Sequence, residues 1–148
     1  MDADDVETNE DFGQTATGGN KRTDDFVIKL GQSHTIQYNN GVGYIEVGES
    51  DTFESISKEF GMRTWEIYKY NDIASSDNIK KYRILYIKLK RNTAHPNHNV
   101  HTVKQGEGMH YIAQKYGVKL KRLYKLNNLT IGTEPKAGDK LNLRKKKI

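Results

Sequence analysis

The strongest constraint in this sequence is a gapless internal repeat, in which residues 45–91 recur 56 positions later as residues 101–147. Nine positions are identical in the two copies, and most other apolar positions match in kind. Self-similarity at a fixed spacing indicates that one structural unit is used more than once. The chain is therefore expected to fold as two copies of one small module. In the first copy the identical positions are Val47, Ile56, Gly61, Tyr68, Lys69, Asn71, Lys80, Leu85 and Lys90.

Each module has to fold without a covalent staple. A copy is a little under 50 residues long, and units of that size bury only a modest core. The chain of 148 residues contains no cysteine, so disulfides and thiolate metal sites are excluded. Modules of this size are therefore expected to be marginal unless they are very well packed.

The N-terminal part differs from the repeats because it is polar and almost devoid of apolar residues. Such a segment cannot bury enough surface to offset its ordering entropy. We predict a disordered tail or linker over residues 1–34, with Phe26–Leu30 as a candidate extra strand. Its acidic start is unlike a signal peptide, so an exported protein would have lost its signal or be present only as a fragment. No apolar run is long enough to cross a bilayer, and we expect no membrane insertion.

Charge is distributed unevenly along the chain. Residues 1–43 hold three Lys and Arg against eight Asp and Glu, whereas residues 101–148 hold twelve against three. The second copy is therefore a cationic body with a net charge of +9. A surface of this kind favours an anionic polymer as partner.

The first copy carries clear signals for turns and helix ends. Asn39-Asn40-Gly41 predicts a tight hairpin turn, and with it an extra strand before the strand Tyr44–Val47. Asp51 with Glu54 predicts a capped helix start. Gly61 is expected to end that helix. Further along, Thr64 is expected to cap a second short helix that stops near Asn71, and Ile84–Leu89 to form the closing strand.

The second copy repeats this plan with similar boundaries. It predicts a strand, two helices and a closing strand, and we assign it to residues 100–148. The first module is assigned to residues 35–91, and the Pro-containing segment 92–99 is interpreted as a short polar linker. The predicted elements are Val100–Val103, Glu107–Tyr116, Leu120–Leu126 and Lys140–Leu143.

Three spaced motifs in the second copy resemble a LysM domain. They are V-x-x-G-E-x-M-x-x-I-A-x-x-Y-G-V over residues 103–118, L-Y-x-L-N-N-L over 123–129, and G-D-K-L-N-L over 138–143. The first copy resembles the same family through V-G-E-S-D-T-F-x-x-I-S-x-x-F-G-M over residues 47–62 and I-Y-K-Y-N-D-I over 67–73. The resemblance covers about two thirds of the chain and occurs twice, which makes it specific.

The resemblance implies an α+β chain of two tandem βααβ modules, each with two helices on a two-stranded antiparallel sheet. It implies a non-catalytic module that binds N-acetylglucosamine glycans, namely peptidoglycan or chitin-type oligosaccharides, without a cofactor. The arrangement is similar to the C-terminal part of some bacterial exported N-acetylglucosaminidases. We therefore expect a monomer, located in the cell envelope or outside the cell, that targets an attached cell-wall hydrolase.

The resemblance also places the glycan groove between the loop entering the first helix and the loop leaving the second. Loop amides there can pair with an acetamido group, and small residues let the sugar approach the backbone. In the first copy the implied residues are Gly48, Glu49, Ser50, Asp51, Thr52, Phe53, Ile73, Ala74, Ser75 and Ser76. In the second they are Gln105, Gly106, Glu107, Gly108, Met109, Leu129, Thr130, Ile131 and Gly132.

Three positions depart from the family pattern. Ser50 stands where Gly is usual, Gly108 where Thr is usual, and Tyr82 replaces the Gly before the last strand. A bulky Tyr82 beside that turn either blocks a ligand or stacks on one, and both alternatives remain open at this point.

Several of these residues also have structural explanations. Phe53, Ile56, Met109 and Ile112 fall at helical spacing and are expected in the core rather than the groove. Asn71 and Asn127 end a helix, where Asn suits a turn, and are expected as structural caps. For Trp65 we expect partial burial beside the second helix.

Other functions are weaker candidates. The spacing of His95, His98 and His101 invites a metal site, but the irregular Pro-containing segment argues against one. Glu46 and Glu49 could be a glycosidase pair, but no module this small offers the deep cleft required. Binding of nucleic acid or another anionic polymer through the basic second copy is the alternative function, although the aromatic-basic pattern of nucleic-acid sites is absent.

Overall fold

A computed structural model describes residues 34–148 of the chain. The chain divides into two compact units, the second of which begins at Lys90. We call residues 34–89 unit 1 and residues 90–148 unit 2, and describe each by itself. The predicted tail up to Ser33 and the candidate strand Phe26–Leu30 lie outside the described residues.

Unit 1 is a three-stranded antiparallel sheet with two α-helices. The hairpin strands β1 (Gln37–Asn39) and β2 (Val42–Glu46) are followed by α1 (Phe53–Glu59), α2 (Thr64–Tyr70), a 3-10 turn (Ile79–Lys81) and β3 (Ile84–Tyr86). The sheet order is β1-β2-β3, with Ile45 opposite Leu85. Asn40 and Gly41 both have positive φ, 55° and 76°, which confirms the predicted hairpin turn and extra strand.

The core of unit 1 lies between the two helices and the sheet. Ile45, Ile56, Ile67 and Leu85 are completely buried within it. Each such side chain contributes about 2 kcal/mol of hydrophobic stabilisation. Phe53 also belongs to this cluster, so the prediction of a core position for it is confirmed.

The start of α1 differs from the prediction by one residue. The N-cap is Thr52, whose hydroxyl accepts from the Ser55 N–H while the Ser55 hydroxyl accepts from the Thr52 N–H. The predicted cap of Asp51 with Glu54 is therefore wrong, because the Asp51 carboxylate is engaged elsewhere. The second helix is also shifted: Thr64 is its first residue, and the Arg63 N–H donates to the Glu66 carboxylate.

Unit 2 repeats the strand–helix–helix–strand order. It contains β4 (Val100–Thr102), α3 (Met109–Tyr116), α4 (Leu120–Leu126) and β5 (Lys140–Asn142), with His101 opposite Leu141 in an antiparallel pair. Gly117 ends α3 in the left-handed conformation, as predicted. The prediction that this helix starts at Glu107 is wrong by two residues, because Gly108 is the N-cap.

Unit 2 begins before the boundary that the sequence predicts. Lys90 and Arg91, which the sequence assigns to the first module, belong to unit 2. Arg91 forms a parallel bridge with Val118, and the buried Lys90 ammonium donates to Gln114 Oε1 at 2.6 Å. In the segment predicted as a linker, the Ala94 N–H donates to Leu143 O. Residues 90–94 therefore extend the small core of unit 2.

One buried asparagine in each unit ties the second helix to the closing strand. Asn71 donates through Nδ2 to Ile67 O and Tyr86 O, and its Oδ1 accepts from the Tyr86 N–H at 2.7 Å. Asn127 makes the equivalent three bonds with Leu123 and Asn142. The structural role predicted for both residues is confirmed, and it is wider than a helix cap.

Trp65 is more exposed than the sequence predicts. It lies in the first turn of α2 with 55% of its surface exposed, so the expectation of partial burial is corrected. Ile67, two residues later on that helix, is completely buried, so Trp65 lies on the face away from the core. The core positions expected for Ile56, Met109 and Ile112 are confirmed.

We predict that Asn127→Ala lowers the free energy of unfolding of unit 2 by about 3 kcal/mol, because it leaves buried backbone groups without partners. Urea unfolding of the chain, followed by amide signals of unit 2, measures the effect. Asn142→Ala is the matched control, since only the backbone of Asn142 bonds to Asn127. Equal destabilisation by both variants would contradict the role given to the Asn127 side chain.

Candidate functional site

The loop between β2 and α1 in unit 1 is closed by its own carboxylate. The Gly48 N–H donates to Asp51 Oδ2 at 2.5 Å, and the Asp51 N–H donates to Gly48 O at 3.2 Å. This pair of bonds fixes a four-residue turn over residues 48–51 that leaves Glu49 and Ser50 exposed at its tip. The turn places two backbone amides at the surface where the sequence predicts glycan contacts.

Unit 2 builds the same turn at the same repeat position. The Lys104 N–H donates to Glu107 Oε1 at 2.9 Å, and the Glu107 N–H donates to Lys104 O at 3.1 Å. Gly106 has a φ of 85°, a conformation that glycine adopts without strain. Gln105 and Gly106 are the exposed tip of this turn. We call residues 48–51 and 104–107 the carboxylate turns.

Each of these carboxylates also forms a hydrogen bond with a histidine ring. In unit 1, His34 Nε2 lies 2.7 Å from Asp51 Oδ2, and its Nδ1 lies 2.7 Å from Glu59 Oε1. In unit 2, His101 Nε2 lies 2.7 Å from Glu107 Oε1, and its Nδ1 lies 2.8 Å from the Tyr116 hydroxyl. Sequence reasoning missed both contacts, since it placed His34 in the tail and weighed His101 only as a metal ligand.

In each histidine–carboxylate pair, the surroundings shift the pKa of one partner. Burial by itself lowers the pKa of His34, but its hydrogen bonds to Asp51 and Glu59 and their negative charges outweigh burial and raise the pKa above 6.5. The Lys104 backbone N–H, with the hydrogen bond from His101, lowers the pKa of Glu107. The imidazolium of His34 and the carboxylate of Glu107 are thus the favoured forms in the fold.

A cavity of about 400 Å³ adjoins the carboxylate turn of unit 1, lined by residues 46–49 on one side and Lys80, Tyr82 and Arg83 on the other. The Lys80 ammonium donates to Glu49 O, so a hydrogen bond joins two of the lining residues. Tyr82 also lines the cavity and does not fill it. The Tyr82 hydroxyl donates to the Asp77 carboxylate, and burial together with that bond raises the pKa of Tyr82.

The other residues predicted for the site in unit 1 fall into two groups. Thr52 is the exposed cap of α1, while Phe53 is buried edge-on against Tyr68 and Ile73 packs against the core. The exposed residues Ala74, Ser75 and Ser76 form a turn in which the Asp77 N–H donates to Ala74 O. Asp77 also accepts a hydrogen bond from the hydroxyl of Tyr82, which lines the cavity, so Tyr82 connects this loop to the cavity.

In unit 2 the two predicted loops are joined directly. The Met109 N–H donates to Glu134 Oε1 at 2.9 Å. A side chain at Gly108 would place its Cβ 3.0 Å from that oxygen, so glycine is what allows Glu134 to approach the start of α3. Gly108 stands out in the sequence as a departure from the family pattern, but no sequence signal points to Glu134, which caps a helix 25 residues away.

The remaining predicted residues of unit 2 surround this link. Met109 is completely buried, so only its backbone reaches the site, and Leu129 packs partly against the core. Thr130, Ile131 and Gly132 lie exposed in the loop after α4, with 65% of Ile131 accessible. Ile131 is therefore the apolar side chain most available to a ligand in this loop.

The structure offers no support for a metal site among the residues it describes. Within residues 34–148, His, Cys, Asp and Glu form no group of three able to hold an ion. His95 accepts from the Asn97 N–H, and the His98 ring lies 5.3 Å from the Tyr116 ring. Nor does any helix in residues 34–148 have the length and apolarity needed to cross a membrane.

We predict that Glu134→Ala lowers the free energy of unfolding by about 1 kcal/mol, because α3 loses the acceptor at its N-terminus. Faster hydrogen exchange of the Met109 amide should accompany the loss. Glu134→Gln retains an acceptor oxygen and serves as the control, with most of the protection kept. An unchanged Met109 exchange rate in the Ala variant would contradict this capping role.

Comparison with known proteins locates a family match in both units. The family model described as LysM domain matches residues 45–88 and 101–144. No curated protein sequence matches. Among solved structures, the spore cortex-lytic enzyme SleL of Bacillus cereus is 24% identical, with a TM-score of 0.30 over 70% of this chain and 23% of that one. SleL of Bacillus megaterium QM B1551 is 18% identical, with a TM-score of 0.29 over 69% and 22%. The chain thus spans less than a quarter of either enzyme.

Proposed function

The chain belongs to the LysM family, whose domains bind peptidoglycan and other N-acetylglucosamine glycans, and we propose that its two units form a non-catalytic glycan-binding pair. The observation that carries the proposal is the family match over both repeats, which takes in both carboxylate turns. Peptidoglycan is the ligand we propose first, with chitin-type oligosaccharides as related ligands.

The carboxylate turns have the chemistry that an acetamido group requires. Such a group offers one N–H donor, one C=O acceptor and one methyl. A glycan oxygen can accept from the backbone N–H groups at the exposed tips, which are Glu49 and Ser50 in unit 1 and Gln105 and Gly106 in unit 2. Because each turn is already closed by its own carboxylate, little ordering entropy is lost when the ligand binds.

Each unit also supplies an apolar surface beside its turn. In unit 2 the exposed Ile131 can cover the methyl or the apolar face of a sugar. In unit 1 the Tyr82 ring, held by Asp77, forms one wall of the cavity next to Gly48. A fixed aromatic ring gives a large contact area at low entropic cost. This favours stacking of Tyr82 on a sugar over blocking of the site.

Two weak sites on one chain suit a long repetitive polymer. A shallow loop site gives modest affinity, but the second binding event becomes intramolecular once the first unit has bound. The gain depends on effective concentration and needs no additional contact. We propose that a monomer with two such sites holds an attached wall hydrolase, such as an N-acetylglucosaminidase, on its substrate in the cell envelope or outside the cell.

A second candidate function is binding of an anionic polymer through unit 2. Its C-terminal tail returns to α4, where the Lys147 N–H donates to Leu126 O at 2.7 Å and Asn128 Nδ2 donates to Lys147 O. The tail lysines thereby join the basic residues of that helix. The carboxylates of Glu107, Glu134 and Asp139 all accept backbone N–H bonds. These observations favour nucleic acid or an acidic wall polymer as the alternative ligand.

We predict that the full chain is retained on purified, insoluble peptidoglycan and that retention persists at high salt.

Ile131→Ala should weaken binding of N-acetylglucosamine oligomers to unit 2 by roughly tenfold, the cost of losing most of an apolar contact. Tyr111→Ala, which removes an exposed apolar side chain of α3, is the matched control. Calorimetry with a soluble oligomer measures both affinities.

Salt dependence separates the two candidate functions. Binding to a polyanion releases counterions, so its affinity falls steeply as salt rises. Retention on peptidoglycan that disappears between low and moderate salt, and that DNA competes away, would replace glycan recognition with the anionic-polymer function.

A further inference from the structure

The two units hold the same carboxylate with histidines that come from different places in the sequence. Asp51 and Glu107 occupy equivalent repeat positions, and each is 2.7 Å from a histidine Nε2. His34 precedes the first copy of the repeat, whereas His101 is the first residue of the second copy. The contact is therefore present in both units although the duplicated sequence does not encode it at one position.

The carboxylate links the histidine to the tip of the turn. Its oxygens accept both the ring N–H and the backbone N–H that closes the turn, from Gly48 in unit 1 and Lys104 in unit 2. A change in the ring's hydrogen bond thus acts on the position of the carboxylate, and through it on the exposed amides of the turn. The histidines therefore act on the turn tips through this carboxylate.

The two rings differ in the hydrogen-bond partners that surround them. His34 lies between two carboxylates, Asp51 and Glu59, so both ring nitrogens must carry a proton and the ring must be a cation. His101 faces a carboxylate at Nε2 and the Tyr116 hydroxyl at Nδ1. Because a hydroxyl can either donate or accept, both bonds of His101 form whatever the charge of the ring.

We propose that His34 and His101 are positioning residues for the glycan-binding turns, and that only the turn of unit 1 depends on a charged ring, so that the two units respond differently to alkali. The inference rests on the proposed function, since it assumes that the carboxylate turns bind the glycan. The turn of unit 1 loosens in alkali, when His34 loses its charge, whereas the turn of unit 2 keeps its histidine bond there.

The surroundings of each ring define its pH range. The carboxylates of Asp51 and Glu59 face His34, and the Phe60 ring packs beside it. The pKa of His34 is raised, so its contribution is complete below 6.5 and is lost as pH rises through the raised value. Side chains of all three ionisable partners are nearly buried, at 7–10% exposure, so this charge is poorly screened.

Unit 2 lacks this alkaline response. His101 faces Glu107 and Tyr116, with Lys104 acting on Glu107 and Lys115 lying over the Tyr116 ring. The pKa of Glu107 is lowered, so its contribution is present above 4.5 and is lost only as pH falls through the lowered value. In alkali Glu107 therefore stays ionised and keeps its bonds to the His101 ring and to the Lys104 N–H.

The test uses the full chain labelled with ¹⁵N and titrated with a soluble N-acetylglucosamine oligomer at several pH values between about 4 and 9. Amides of Glu49 and Ser50 report on unit 1, and those of Gln105 and Gly106 on unit 2. We expect the affinity read from unit 1 to fall about tenfold in alkali and that read from unit 2 to stay unchanged over the same pH range. An alkaline loss of the same size in both units, or no alkaline loss in unit 1, would overturn the inference.

Two variants and one control separate positioning from mere stabilisation. His34→Gln should weaken unit 1 at every pH and abolish its alkaline response, while His95→Gln, at an exposed histidine of unit 2, should change nothing. Glu59→Gln should keep binding and remove the alkaline response, because the introduced side-chain amide can donate to Nδ1 and a neutral ring then suffices. An alkaline response that survives in Glu59→Gln would overturn the assignment to His34.

Failure of the proposed function gives a different result. If no glycan binds at any pH, the proposed function fails. The pH response of the Gly48 and Lys104 amides without ligand then still tests the histidine link, with an alkaline response expected at Gly48 and not at Lys104. Amides that show no such response, or the same response, would overturn the link independently of any ligand.

Discussion

The fold of each unit depends on one buried carboxamide. Asn71 and Asn127 each satisfy a helix carbonyl and both backbone groups of one closing-strand residue. A small unit without disulfides buries only a modest apolar core. Leaving the backbone groups of the closing strand unpaired would cost about as much free energy as burying one large apolar side chain contributes. The same bonds fix where the second helix ends, and the loop that leaves this helix carries half of the proposed site.

The other half of the site is fixed by the carboxylate turns, and here the units diverge. Both use the same backbone geometry, with Asp51 and Glu107 closing the turn. Unit 1 caps the following helix with Thr52 and leaves an open cavity beside the turn. Unit 2 has Gly108 there, and Glu134 from the opposite loop supplies the cap. A duplicated backbone thus supports two chemically different surfaces for the proposed ligand.

The sequence predicts the architecture well because the repeat and the apolar spacing are local signals. The hairpin at Asn40, the helix end at Gly117 and the roles of Asn71 and Asn127 were all accessible from residue type and position. The contacts of His34 and Glu134 were not, since they join residues 17 to 25 positions apart and follow from packing alone. The contact between His34 and Asp51 also explains why the predicted helix cap was wrong. The Asp51 carboxylate bonds to the Gly48 N–H and to His34, so Thr52 caps the helix instead.

Glycan recognition as proposed here depends on backbone amides of both turns contacting an acetamido sugar. Titration of the ¹⁵N-labelled chain with an N-acetylglucosamine oligomer at neutral pH tests this directly, residue by residue. We expect saturable shifts at Glu49, Ser50, Gln105 and Gly106, with smaller shifts at the loops around Ser75 and Ile131. Shifts confined to the basic helix α4 and the C-terminal lysines, or no shifts at all, would contradict it.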